Sequence, residues 1–263
     1  MNVLFESLTY PAGVEGRLIP VQSKPVVRET PVLIGDNAVD GLGAVIYGTV
    51  LRDGGIYRMW YQAFPKAWGG GDVSYVGYAE SDDGDEWRKP ELGLVESGGD
   101  AKNNLTDLGF HAPSVFIDPT APATHRYRGV GCAMRHREGS FQQIVGSGYY
   151  LAHSSDGLHW ELSDTWPAWE GVDVITSVYH PARACAQVAL KRLARYRGIP
   201  RRAIWEGAVV DGEPQPCRRA LVPDDFDDVA AAARGFASGD YYGMGMQPAG
   251  QGTVGFLWNF RHW

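Results

Sequence analysis

A turn signal that occurs twice constrains the fold of this chain more than any other feature. Residues 81–87 read Ser-Asp-Asp-Gly-Asp-Glu-Trp, and residues 154–160 read Ser-Ser-Asp-Gly-Leu-His-Trp. Each copy follows a run of alternating apolar residues, as expected for a strand with one buried face. Asp-Gly favours a tight turn because glycine accepts a positive φ without steric cost, and the tryptophan that follows can pack in the next strand. A turn-plus-aromatic unit that recurs at this period is typical of a radial repeat.

A second mark recurs in phase with the first. A hydroxyl residue followed by valine stands at 49–50, 114–115 and 177–178, and each pair leads into a polar turn and a second apolar run. Each unit therefore reads strand, turn, strand, gap, strand, Asp-Gly turn, strand, which describes one four-stranded antiparallel sheet. One such sheet leaves an apolar face open, so neighbouring sheets must stack around an axis. The sequence predicts an all-β fold, a β-propeller of four-stranded antiparallel blades.

The repeat divides the chain into a lead-in and a propeller. Residues 1–42 carry prolines between short apolar pieces and predict an N-terminal strand and lead-in, and the propeller takes 43–263. Its blades cover about 43–97, 113–166, 173–222 and, in part, 239–263. The partial blade leaves backbone groups of 253–258 unpaired along one edge, which is an aggregation hazard. Three arrangements would pair this edge. Residues 3–34 could complete the ring, a second copy could pair with the edge, or the natural chain could be longer. We expect a homodimer contact or an open propeller, with the homodimer favoured.

Two segments leave the choice between helix and strand open. Residues 184–202 are rich in Ala, Leu, Lys and Arg and could form an amphipathic helix, but their place in the repeat favours two strands. Their basic residues, Lys191 and Arg201 among them, favour a solvated outer strand over an anion-binding patch. Residues 229–234 are the better candidate for a short helix. The acidic run at 224–228 favours a solvated loop over a Ca²⁺ site, because it lacks EF-hand spacing.

Composition excludes some classes of partner. A net charge of −7 argues against general binding to nucleic acid or to an anionic membrane, and no apolar run approaches the length of a membrane span. The three cysteines, Cys132, Cys185 and Cys217, are odd in number and favour reduced, buried thiols. The first residues lack a signal peptide, so a cytoplasmic location is expected. No Walker loop, dinucleotide fingerprint or zinc motif is present, so we expect neither a cofactor nor a metal.

The order of several short motifs resembles a known family. These motifs stand at 57–61, 79–84, 87–96, 103–105, 222–225, 242–244 and 255–258. Together they resemble uncharacterised five-bladed β-propellers related to glycoside hydrolases, which share the fold of arabinanases, invertases and levansucrases. The resemblance covers about 43–263 and implies a five-bladed type of propeller that is incomplete at the C-terminus of this chain. It also implies a carbohydrate or other small molecule as ligand.

The resemblance further implies acidic residues where the inner strands enter the central funnel. A carboxylate pair there can protonate the leaving oxygen and activate water or attack the sugar. Blades of such enzymes often read Asp-Pro-Ser-Val-Phe at that point, and here Ala112 stands in place of the aspartate. Tyr47 and Ile175 occupy the matching positions in the first and third blades. All three depart from the pattern, which argues against standard hydrolysis by acids at those places.

Three nearby residues are candidates for catalysis. Asp40 precedes the first inner strand, although an acid before glycine is also a common turn former. Asp173 stands two residues before Ile175 and could enter the funnel, with capping or solvation as the alternative. His111 lies at the mouth of the second blade and could be a general acid or base, a sugar partner or a satisfied loop histidine.

Three more residues are candidates for substrate binding. Tyr47 lies on the first inner strand, and Asp240 and Tyr242 lie where the fourth blade begins. An aromatic platform of this kind can stack on a sugar ring, although core packing explains a tyrosine equally well. Asp53 and Asp118 fall at one phase of the repeat, which favours turn structure for both.

Three functions are compatible with these patterns. The first is a carbohydrate-active enzyme of the glycoside hydrolase-like propeller type, acting on a sugar or sugar-like substrate in the funnel. The second is a propeller repurposed for a non-hydrolytic biosynthetic reaction, such as cyclisation or isomerisation. The third is a noncatalytic sugar-binding or scaffold propeller. Fold analogy alone does not choose among them.

Overall fold

Residues 26–71 and 73–263, which the computed structural model describes, form four antiparallel sheets in sequence order. The first sheet contains β1 (Gly43–Asp53), β2 (Ile56–Phe64), β3 (Val76–Ser81) and β4 (Leu105–Thr106). The second contains β5 (His111–Ile117), β6 (Tyr127–Ala133), β7 (Gly148–Ser154) and β8 (Glu161–Leu162). Each sheet follows chain order from its first strand outward. The all-β prediction is therefore confirmed.

The third and fourth sheets differ in size. The third contains β9 (Ile175–His180), β10 (Cys185–Tyr196), β11 (Ile199–Val210), β12 (Glu213–Pro214) and β13 (Arg218–Leu221), which also pairs with β11. The fourth is the hairpin of β14 (Ser238–Ala249) and β15 (Gly252–His262). The strand interpretation of residues 184–202 is thus confirmed. The N-terminal strand predicted within 1–42 falls largely outside the described residues, and 26–42 contain turns but no strand.

One helix, α1 (Asp225–Ala232), lies between the third sheet and the hairpin. The Asp224 carboxylate caps it by accepting a hydrogen bond from the Phe226 amide at 2.8 Å, and Asp227 bonds back to the Asp224 amide at 2.9 Å. This reciprocal capping box replaces the solvated loop expected for the acidic run. The short helix begins a few residues earlier than its candidate segment. In the described ranges no helix is long and apolar enough to cross a membrane.

The first strands of successive sheets pack side by side, β1 against β5, β5 against β9, and β9 against β14. The repeated hydroxyl residues join them. The Thr49 hydroxyl accepts a hydrogen bond from the Val115 amide at 2.9 Å, and the Ser114 hydroxyl accepts one from the Ser177 amide at 2.9 Å. The Ser114 and Ser177 hydroxyl oxygens are 3.0 Å apart. These contacts line the inner strands around one axis, as in a β-propeller.

The two Asp-Gly turns have the same construction. The hydroxyls of Ser81 and Ser154 each accept a hydrogen bond from the turn glycine amide at 2.8 Å. Gly84 and Gly157 have φ values of +86° and +81°, which a side chain would make unfavourable. The indoles of the tryptophans that follow donate to the carbonyl oxygens of these glycines, at 2.9 Å and 3.0 Å. The predicted equivalence of the two turns is confirmed.

Apolar side chains fill the space between neighbouring sheets. One cluster joins the first and second sheets and includes the buried residues Trp60, Tyr78, Phe110 and Trp160. A second joins the second and third sheets around Tyr149 and Leu190. Burial of this much apolar surface is the main favourable contribution to the stability of such a stack. It also fixes where the first strands of the sheets converge.

Candidate functional site

His111 occupies the first position of β5 and points its buried ring toward two acceptor oxygens. Its Nδ1 lies 3.0 Å from the carbonyl oxygen of Val73, and its Nε2 lies 3.3 Å from Oδ1 of Asp173. A carbonyl and a carboxylate both accept hydrogen bonds only. The neutral ring has a single N–H and can donate to one of these oxygens, whereas the imidazolium can donate to both. The ring of His111 is therefore held between a backbone carbonyl and a carboxylate at the start of β5.

The Asp173 carboxylate also contacts two other side chains besides His111. Its Oδ2 accepts a hydrogen bond from the Tyr242 hydroxyl at 2.7 Å and forms an ion pair with the Lys191 ammonium. Burial acts to raise the pKa of Asp173, but hydrogen bonds from His111, Lys191 and Tyr242 outweigh it and hold that pKa well below its usual range. Asp173 is therefore a carboxylate anion at neutral pH.

Tyr242 and Lys191 reach Asp173 from different sheets. Tyr242 lies on β14, and Lys191 lies on β10 with its ammonium 4.7 Å from the centre of the Tyr242 ring. Burial and the hydrogen bond to Asp173 raise the pKa of the Tyr242 hydroxyl. Tyr242 therefore keeps its proton and acts as a donor. The ammonium over the ring face adds a cation–π contact.

Tyr47 of β1 completes the set. Its ring centre lies 6.2 Å from that of His111, 6.5 Å from that of Tyr242 and 6.3 Å from that of Trp258. We use the name funnel cluster for five residues that come together from all four sheets, namely Tyr47, His111, Asp173, Lys191 and Tyr242. Aromatic faces and charged groups therefore meet at one end of the inner strands.

Backbone strain accompanies the funnel cluster. Ala112 and Asp173 have φ values of +51° and +81°, a region that residues with a side chain rarely adopt. The Ala112 amide donates a hydrogen bond to the side-chain oxygen of Gln62 at 2.7 Å. The Gln62 amide group in turn donates to the carbonyl oxygen of Val73, the same oxygen that His111 contacts, at 3.1 Å. Strained residues held by such networks are concentrated at functional sites.

A cavity of about 220 Å³ lies between the inner strands, next to the funnel cluster. Tyr47, Trp258 and Met246 contribute its aromatic and apolar walls, and Ala112 and Val174 line it beside His111 and Asp173. The hydroxyl residues Thr49, Ser114 and Ser177 also line this cavity. The arrangement joins an aromatic pocket to a polar cluster, which is typical of a small-molecule site.

Four of the six candidate residues lie together in the structure. Tyr47, His111, Asp173 and Tyr242 belong to the funnel cluster, and their functional roles stay predictions. The structure adds Lys191 to these four residues, although its sequence pattern favours a solvated outer strand. Its basic neighbours make it indistinguishable in the sequence, and the pairing of β9 with β10 brings it to Asp173. In the described residues no three His, Cys, Asp or Glu side chains are placed to hold a metal ion.

Asp40 lies outside the funnel cluster, fully buried under the loop that precedes β1. Its Oδ1 accepts hydrogen bonds from the Asp36 and Asn37 amides at 3.0 and 3.2 Å. Its Oδ2 accepts from the Tyr61 hydroxyl at 2.7 Å and the Lys89 ammonium at 2.5 Å. The four contacts occupy both oxygens, so the geometry favours the structural alternative for Asp40.

Asp240 is also engaged elsewhere. Its Oδ1 accepts a hydrogen bond from the buried Arg201 guanidinium at 2.7 Å, and its Oδ2 lies 3.0 Å from Nε2 of His262. Burial acts to raise the pKa of Asp240, but the contacts with Arg201 and His262 outweigh it and lower that pKa. Arg201 also bonds Asp228 of α1 at 2.8 Å. This network joins the hairpin, β11 and α1, and it replaces the solvated outer strand expected for Arg201.

The fold and the inner-strand geometry together define an all-β propeller. No protein-family model and no curated protein matches the sequence. Solved structures do match. A glycosyl hydrolase from Bacteroides ovatus has a TM-score of 0.52 at 14% identity, over 82% of this chain and 64% of that one.

Two further solved structures have the same fold. One is described under the GH130 family, with glycoside hydrolases that target β-1,2-mannosidic linkages in Candida mannan; it has a TM-score of 0.52 at 12% identity, over 88% of this chain and 70% of its own. The other is a GH43_12 protein from a capybara gut metagenome, with a TM-score of 0.54 at 12% identity, over 88% of this chain and 38% of its own. The predicted similarity of fold to the propellers of glycoside hydrolases is confirmed.

Proposed function

We propose that this protein is a carbohydrate-active enzyme that acts on a sugar or sugar-like substrate at the funnel cluster. The observation that carries the proposal is the convergence of His111, Asp173 and Tyr242 from three sheets, beside an aromatic-walled cavity. Solved proteins of this fold are named as glycoside hydrolases, which supports a carbohydrate as the ligand class.

Each member of the cluster has a chemical task in this proposal. His111 exchanges a proton with an oxygen of the substrate, which takes the place of one of the present hydrogen-bond partners of the ring. Asp173 orients the ring of His111 and stabilises the positive charge that the ring carries when it holds the transferred proton, in the way a carboxylate orients a catalytic histidine. Tyr47 offers an aromatic face to the apolar side of a sugar ring, and Tyr242 holds Asp173 in place. Asp173 is thereby a positioning residue rather than a nucleophile.

One observation favours a second candidate function. Hydrolysis by glycosidases of the usual kind uses two carboxyl groups, roughly 5 to 9.5 Å apart. In the described residues the funnel cluster holds one carboxylate, and Lys191 and His111 keep it ionised. A non-hydrolytic reaction such as isomerisation or cyclisation, or sugar binding without turnover, needs no such pair. These functions form the alternative to hydrolysis.

A combined binding and turnover screen tests the proposal. The purified protein is titrated calorimetrically with neutral mono- and oligosaccharides, and each mixture is analysed for new reducing ends and for isomerised or cyclised products. We expect saturable binding of at least one sugar. H111A and D173N should each weaken this binding about tenfold or more, because each variant removes one or two hydrogen bonds that involve a charged group. The matched controls H159A and D164N change exposed turn residues and should bind as the wild type does.

The outcomes separate the candidates. New reducing ends support hydrolysis, altered products without them support the repurposed enzyme, and binding without turnover supports the sugar-binding propeller. Absence of binding for the whole panel, with the protein shown to be folded, contradicts all three. Equal affinity of H111A and wild type would place the sugar away from the funnel cluster.

A further inference from the structure

The outer edge of β15 is unpaired in the part of the chain that the structure describes. β15 runs for 11 residues, Gly252–His262, and pairs with β14 on one side only. A strand edge of this kind presents a row of backbone donors and acceptors to solvent. Soluble proteins usually protect such an edge with lysine, proline or a bulge. Residues 252–260 contain neither a charged residue nor a proline.

Apolar side chains on this strand are exposed as well. Val254 is 48% exposed and Phe256 is 65% exposed. A two-stranded sheet is marginally stable by itself, and three or more strands are usual. Each of the first three sheets contains a path of four strands, whereas β14 and β15 make a sheet of two. The edge of β15 therefore has the features of a surface that another strand covers.

We propose that β15 pairs in antiparallel orientation with β15 of a second copy of this chain, around a two-fold axis at Phe256. The two hairpins then form one sheet in the order β14, β15, β15 and β14, which has four strands, as many as the path in each of the other sheets. A two-fold contact uses the same surface on both copies, so it needs no other partner. Backbone groups of both edges become paired.

The position of the axis follows from the distribution of charge. Phe256 is the midpoint of the uncharged segment 252–260, so an axis there makes Gly252 face Phe260 and Val254 face Trp258. Every residue of the segment then faces another uncharged residue, and no like charges meet across the strands. A shift of the axis toward the end of β15 would bring the two Arg261 side chains closer together. Electrostatics therefore favour Phe256 over the later positions.

The pairing has a consequence for the cavity. Trp258 lies in the paired segment, and its ring lines the 220 Å³ cavity beside Tyr47. Pairing with a second copy therefore takes place on the strand that carries this wall of the cavity. The dimer is independent of the chemistry proposed for the funnel cluster, and it can be tested without a substrate.

Light scattering coupled to size exclusion tests the pairing. The chain mass is 28.8 kDa, and we expect a species of twice that mass at micromolar concentration. F256K places two ammonium groups side by side at the axis and should raise the dimer dissociation constant about tenfold or more, with unchanged circular dichroism. The matched control L193K changes an exposed leucine of β10, 69% exposed, and should leave the dimer intact.

A mixing experiment locates the axis. F256E should also dissociate the dimer, and an equimolar mixture of F256K and F256E should restore it, because lysine then faces glutamate. Hydrogen exchange of the wild type should show protection of residues 253–259 that increases with protein concentration. A monomer at 100 µM, a dimer that neither variant weakens, or a mixture that stays monomeric would each overturn the proposal.

Discussion

The indoles of Trp60 and Trp160 donate hydrogen bonds to the same acceptor, the carbonyl oxygen of Gly157, at 2.7 and 3.0 Å. Trp60 lies on β2 of the first sheet, and Trp160 follows the Asp-Gly turn of the second sheet. One turn carbonyl thus joins two neighbouring blades. The Asp-Gly turn is therefore an interblade contact as well as a connection between strands.

Truncation of Trp160 should destabilise the protein strongly. The residue is 5% exposed and packs in the cluster between the first and second sheets. We expect W160A to lower the free energy of unfolding by about 3–5 kcal/mol, the usual cost of removing a buried aromatic ring. W166A, which removes an exposed indole, is the control and should cost less than about 0.5 kcal/mol. Urea titration of the three proteins measures both values, and equal midpoints would refute the role of Trp160.

Alanine at the two turn glycines should have different costs. Both positions have positive φ, so both variants bear roughly 1–2 kcal/mol of backbone strain. At Gly157 an added Cβ would also lie 2.7 Å from the Trp60 ring, whereas at Gly84 the nearest atoms, of Tyr57, lie at an ordinary 3.7 Å. We therefore expect G157A to be less stable than G84A by about 1–3 kcal/mol, the cost of overpacking. Equal free energies of unfolding for G157A and G84A would show that the Trp60 ring can move away from the added methyl group at little cost.

The sequence predicts the repeating parts of this fold because their signals are local. Asp-Gly, the serine before it and the tryptophan after it all act within one turn, so the chain itself specifies the geometry around Gly84 and Gly157. The hydroxyl–valine repeat is also visible in the sequence, but the structural role of its hydroxyl groups is not. Ser114 bonds a residue of the next blade, and contacts between blades depend on how the sheets stack.

The sequence predicts only part of the candidate site, because some of the contacts in the site join strands in ways that the sequence does not show. His111 and Asp173 stand at the starts of inner strands, a position that the repeat reveals. Lys191 lies in the second strand of its blade among other basic residues, and only the three-dimensional pairing of β9 with β10 brings it to Asp173. Asp40 also precedes an inner strand, yet two local amides and the more distant Tyr61 and Lys89 hold its carboxylate within the loop before β1.

The Asp40 network should behave as a structural anchor. Lys89 lies 2.5 Å from the buried Asp40 carboxylate and also bonds Asp36 at 2.6 Å. K89M would leave a buried charge without its counter-ion, so we expect a loss of about 3–5 kcal/mol in the free energy of unfolding. The double variant K89M/D40N removes the charge and should recover part of that loss. K102A changes an exposed lysine and serves as the control. A K89M protein as stable as the wild type would refute the anchor.

The last prediction concerns the pH dependence that Asp173 adds. Its pKa is lowered in the folded state, and an unfolded aspartate titrates near pH 3.9, roughly the model-peptide value. The unfolded state therefore binds the proton first as pH falls, so the stability from Asp173 is full above about pH 4 and is lost below it. D173N keeps a side chain that tolerates the left-handed φ but cannot ionise. We expect D173N to be less stable than wild type in urea at pH 7, with a smaller difference at pH 3. The control D164N removes an exposed carboxylate outside the funnel cluster and is measured at the same two pH values. A gap between wild type and D173N that widens on acidification would reverse the sign of the coupling and refute an ionised, stabilising Asp173.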